Sequence, residues 1–75
     1  MRRIKLDQDD LLAMKLGVTY EFAKDHGISP EEAFHLMNSV GAYEYIERNG
    51  PIFTTQTYSA LAHRIAREFH IGAPA

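Results

Sequence analysis

Apolar residues recur along this chain at spacings of three and four, the interval at which an α-helix returns side chains to one face. Leu11, Met14, Val18 and Phe22 form the first stripe, with Leu12, Leu16 and Ala23 on a flanking one. The helix they predict, roughly Asp9 to His26, is therefore apolar over a wide arc. Asp7, Asp9 and Asp10 suit its positive N-terminal end, and Lys24 and His26 its last turn. Gly17 weakens the middle by about 1 kcal/mol relative to Ala, and Gly27 is the natural stop.

The next block, Ile28 to Gly41, has both ends marked. Ser29 can cap the free N–H groups, Pro30 suits the first helical position, and Glu32 can reach back to the Ser29 N–H as a capping box. Ala33, Leu36, Met37 and Val40 fall at i, i+3, i+4, i+7, and Gly41 can take the left-handed conformation that ends a helix. A short third helix is expected over Ala42 to Arg48, halted by Asn49-Gly50-Pro51. Ile52 and Phe53 then read as an apolar plug in a loop that enters the core. Thr54, Thr55 and Thr57 are all candidate caps for the last helix. Its stripe of Tyr58, Leu61, Ala62, Ile65, Ala66 and Phe69 is the strongest amphipathic pattern in the chain. Gly72 and Pro74 mark its end. The pattern predicts an all-α fold: a small bundle of three longer helices and one short one. It forms a single domain over residues 1–75, with 1–8 and 71–75 frayed.

Composition changes this picture little. The 75 residues are 45% hydrophobic and 24% charged, an ordinary globular balance far from that of a disordered chain. A chain this short has a small core, and its stability gains from a partner or a second copy. It has no cysteine, which fits a reducing, cytoplasmic setting. No apolar run approaches the roughly 18 residues of a membrane span. The basic start, Met1-Arg2-Arg3-Ile4-Lys5, leads into aspartates and not into the apolar core of a secretory signal.

Candidate chemistry is sparse. His63, Arg67 and His70 share one face of the last helix, but further metal ligands at motif spacing are missing, so no metal and no cofactor is expected. The pairs Glu31–Glu32 and Glu44–Glu47 are accounted for by a helix end and a solvated face. Ser29, Ser39 and Ser59 have no oxyanion-type surroundings, and no glycine loop is built for phosphate. The chain therefore does not read as an enzyme. A net charge of −2 gives no global attraction to nucleic acid. A local surface of His63, Arg64 and Arg67, with His70, Arg2, Arg3 and Lys5, nonetheless keeps a small DNA-binding regulator as the alternative function. Most aromatic residues, Tyr20, Tyr43, Tyr45, Tyr58 and Phe53 among them, suit the core or its edge. Phe34 lies off the second helix's stripe. It either widens the buried arc or, with Met37 and Tyr20, forms a patch for a protein partner. The leading expectation is a non-enzymatic interaction module that self-associates or binds another protein through apolar residues of its first or second helix.

From Phe22 to Phe69, about two thirds of the chain, the sequence resembles a family of small bacterial helical proteins described as a domain of unknown function. The resemblance rests on Gly27-Ile28-Ser29-Pro30-Glu31-Glu32-Ala33, the stretch Leu36 to Gly41, and Gly41-Ala42-Tyr43-Glu44-Tyr45-Ile46. It also rests on Phe53, Thr55 and Gln56 before the terminal helix. Family members often carry a histidine just before this threonine, where the present chain has Thr54. Genes of the family often stand beside those of proteins resembling ADP-ribosyltransferases. The resemblance thus implies a partner subunit or an antitoxin-like role.

Overall fold

The computed structural model describes residues 8–71, which form four α-helices. These are α1 (Gln8–His26), α2 (Pro30–Val40), α3 (Ala42–Phe53) and α4 (Tyr58–Glu68). The all-α, four-helix architecture is the one the apolar spacing predicts, and no strand occurs among the described residues. The expected fraying at the two ends falls mostly on residues 1–7 and 72–75, which lie outside the described region, as do Gly72 and Pro74. Gln8 is already helical, and Ile71 packs against the core.

Helix α1 is the spine, packed most extensively against α4 and α2 and less against α3. Its inner stripe of Met14, Val18, Phe22 and Ala23 meets Ala33 and Met37 of α2, Ala42, Ile46 and Phe53 of α3, and Leu61, Ala62 and Ile65 of α4. Removing each large side chain of this set from water contributes roughly 1.5–3 kcal/mol, so the stripe that defines each helix also fixes its place.

The helix ends follow local chemistry. Ser29 Oγ accepts from the Glu32 N–H and the Ser29 N–H donates to Glu32 Oε1, both at 3.1 Å, completing the capping box. Gly27 (φ 66°) turns the chain out of α1, and the Ile28 N–H closes back on Ala23 O at 3.0 Å. The candidate threonine caps divide their tasks. Thr57 caps α4 by accepting from the Ala60 N–H, whereas Thr54 and Thr55 donate to Pro51 O and Ile52 O at the end of α3. At the far end of α4 the left-handed residue is His70 (φ 56°), with the Ile71 N–H donating to Ala66 O at 2.8 Å.

Two expectations are corrected. Helix α3 does not stop at Asn49-Gly50-Pro51 but runs through it to Phe53. Pro51 removes one helical hydrogen bond. Burial of Phe53 on the helix opposes that loss, and the Asn49 side chain donates to Tyr45 O at 3.0 Å within the same turn. The plug is accordingly half a plug: Phe53 faces inward and Ile52 is 66% exposed. His26 stands in the last turn of α1, as expected, with its ring turned inward. It stacks on Phe22 with ring centroids 4.0 Å apart, and its Nδ1 lies 3.1 Å from Phe22 O.

Candidate protein-interaction face

The wide apolar arc of α1 has two sides with different surroundings. Residues 14, 18 and 22 point into the bundle, and the remaining three helices cover them. On the opposite side Leu12, Leu16 and Tyr20, spaced i, i+4, i+8, are left 56%, 54% and 63% exposed. Helix α2 adds Phe34, 49% exposed, beside them.

Leu12, Leu16 and Phe34 line a groove of about 510 Å³ together with Thr19, Tyr43, Asn38 and Glu44 and the Lys15 and Glu47 side chains, while Tyr20 stands one turn further along α1, outside it. Each wall has a local cause. Phe34 leans on Tyr43, ring centroids 5.6 Å apart, which covers one side of the ring and leaves the other open. Thr19 Oγ1 donates its single proton to Lys15 O at 2.6 Å, so the Tyr43 phenol is the donor in the 2.5 Å contact between the two hydroxyls. Burial raises the Tyr43 phenol above its ordinary value of 10.0, with the Lys15 charge opposing, so it is protonated at neutral pH. Lys15 forms an ion pair with Glu47 that ties α1 to α3 along the rim. The result is a trough with three exposed apolar side chains, a hydrogen-bonded polar base and a charged edge.

Of the residues singled out from the sequence, Phe34 and Tyr20 stand on this face. Met37 does not. It is 0% exposed, because its place on the Ala33–Met37 stripe turns it directly under α1. Its candidacy as a partner-binding residue is therefore corrected: it supports the face from beneath. Leu12 and Leu16 were missed as site residues. Their spacing with Tyr20 was the available signal, but a flanking apolar stripe looks the same whether a fourth helix covers it or not.

Among the described residues of the alternative basic surface, His63 and Arg64 have partners within the bundle. His63 Nε2 lies 2.9 Å from Asp25 Oδ2 of α1. The Arg64 guanidinium sits over the Phe53 ring at 5.7 Å from its centroid, and Arg64 Nε donates to the Tyr45 hydroxyl at 3.3 Å. Tyr45 is itself wedged between Phe53 and Phe69, at 5.5 and 5.4 Å. Arg64 thus helps lock α3 to α4, while Arg67 is exposed and His70 ends the helix. Arg2, Arg3 and Lys5 lie outside the described residues. Among the described residues, no three His, Asp or Glu side chains converge as a metal ion would require, and no helix is long and apolar enough to cross a membrane. No family model, no curated protein and no solved structure matches the chain.

Proposed function

We propose that this chain is a non-enzymatic, cytoplasmic protein–protein interaction module that works through the outer face of α1 and the adjoining Phe34. The observation that carries this reading is the gathering of Leu12, Leu16 and Phe34, three of the six exposed large hydrophobic residues among the described residues, around one groove, with a fourth, Tyr20, one turn further along the same side of α1. Scattered apolar residues on a surface need no explanation, whereas a contiguous set rimmed by charge marks a binding surface. Covering it also offsets the small core of so short a chain. Within this proposal the role is that of a partner subunit or an antitoxin-like protein, the role that the resemblance of residues 22–69 implies. The DNA-binding alternative gains nothing from the fold, since Arg64 is held against aromatic rings and His63 against a carboxylate.

Sedimentation of the purified chain, alone and mixed with the products of neighbouring genes, tests the proposal. A mass above the monomer is expected in at least one case, and it should fall back to the monomer on Phe34→Ser. A chain that stays monomeric and captures neither overturns it.

A further inference from the structure

The outer stripe of α1 is ordered by charge as well as by hydrophobicity. Asp9, Leu12, Leu16, Tyr20 and Lys24 stand at i, i+3, i+7, i+11 and i+15, within one arc of the helix. All five are exposed. The stripe is thus acidic at one end, apolar through the middle and basic at the other, with Leu16 near its centre. Beside the acidic end lies a hollow lined by Asp9, Leu11, Leu12 and the Lys15–Glu47 ion pair, so Asp9 is the carboxylate there that stands outside that pair.

We infer that this face takes a second copy of the chain, with the two α1 helices antiparallel about a twofold axis at Leu16. The inference rests on the interaction-module reading and names its partner. A twofold interface must be complementary to itself, so that what residue i meets in residue j is repeated by j and i. An antiparallel arrangement meets that condition here. Leu16 packs on Leu16, and Leu12 packs on Tyr20 of the second copy. That tyrosine arrives at the open side of the groove between Leu12, Leu16 and Phe34. Lys24 reaches the turn that holds Asp9, and the same pairing repeats at the other end. A parallel arrangement would set Asp9 against Asp9 and Lys24 against Lys24, like charges facing each other at both ends. Lys24 makes one pair within its own chain, with Glu21 at 3.5 Å, but its side chain stays 73% exposed and the pair is of the weak surface kind.

The chain has no cysteine, so a single introduced thiol reports on this axis without interference. Leu16→Cys, oxidised mildly, should crosslink to itself nearly completely, whereas Ile52→Cys, more exposed but away from the groove, should not. In sedimentation the wild-type mass should rise from monomer to dimer with concentration. Leu16→Glu should hold it at the monomer with the helical circular dichroism unchanged. Lys24→Glu should weaken the dimer roughly tenfold, and adding Asp9→Lys should restore it. A dimer indifferent to Leu16→Glu, or a charge swap that fails to restore affinity, overturns the arrangement. A wild-type chain that is monomeric at every concentration overturns the second copy as occupant. If that monomer binds a neighbouring gene product and Leu16→Glu abolishes the binding, the interaction-module reading stands and only the identity of the partner is lost.

Discussion

Helix α1 carries two stripes of similar composition with opposite fates. Met14, Val18 and Phe22 are enclosed by three other helices, while Leu12, Leu16 and Tyr20, on the same nineteen residues, face outward. Nothing in the residue types separates them, since both stripes are large, apolar and compatible with a helix. What separates them is the supply of covering surface. Three further helices of 11, 12 and 11 residues are enough to wrap one side of α1 and no more. The inner stripe therefore reports on folding and the outer stripe on association, and substitutions around the circumference of α1 should show the change from one to the other.

The largest effect is expected on the inner side. Phe22→Ala removes a fully buried ring that also stacks on His26, and should cost about 3–5 kcal/mol by urea denaturation. For a domain this small such a loss leaves little folded protein at room temperature. A cost below about 1 kcal/mol would mean that the inner stripe is not the core.

Next comes the flank facing α4. A Cβ placed on Gly17 would lie 2.1 Å from the Tyr58 ring, so the glycine is there to admit that ring and not for backbone freedom. Gly17→Ala gains about 1 kcal/mol in helix propensity but forces an overpacked contact that costs roughly 1–3 kcal/mol. The expected net is a loss of about 1 kcal/mol, and Tyr58→Ala in the same chain should turn it into a gain. A stabilised single variant would show that the ring swings away freely.

On the flank facing α3, Tyr43→Phe should cost about 0.5–1.5 kcal/mol at neutral pH through the lost hydrogen bond to Thr19. Because burial raises the phenol's pKa in the folded state, its contribution is complete below pH 10.0 and is lost as pH rises through that raised value. The gap between wild type and Tyr43→Phe should therefore narrow in alkaline denaturation series, and a gap that widens would contradict the burial. The smallest effect belongs to the outer side. Leu12→Ser should change the unfolding free energy by no more than about 0.5 kcal/mol in dilute solution, while weakening any complex measured by sedimentation. A large loss of stability in the dilute monomer would erase the contrast between the two stripes.

The parts of this fold that were legible in the sequence are those decided within a few residues. Ser29, Pro30, Glu32 and Gly41 determine the ends of α2 by chemistry that needs no partner, and they behave as read. Asn49-Gly50-Pro51 fails as a stop for a reason no local reading contains: Phe53 has a place in the core only if the helix carries it there. Thr54, Thr55 and Thr57 look equivalent until the end of α3 is known, after which two serve α3 and one serves α4. At the candidate site, Phe34 could be singled out as an aromatic residue off the stripe of α2, and Tyr20 only as its neighbour, since by type it suited the core or its edge. Leu12 and Leu16 could not, because exposure of an apolar stripe depends on how many helices the rest of the chain can bring to it. Met37 shows the converse, a residue whose own periodicity already assigned it to the interior.

The joint at Gly41 constrains how this molecule can vary. A single residue (φ 85°) both ends α2 and opens α3, its N–H bonded to Asn38 O and its C=O accepting from the Tyr45 N–H. There is no slack at that corner. One inserted residue would turn α3 by about 100° about its axis and carry Ala42 and Ile46 away from α1. The turn after Phe53, by contrast, is several residues long and exposed at Thr54 and Thr55. Between α2 and α4, insertions should therefore be tolerated in the approach to α4, whereas the corner at Gly41 resists insertion through its register and side chains through its left-handed backbone.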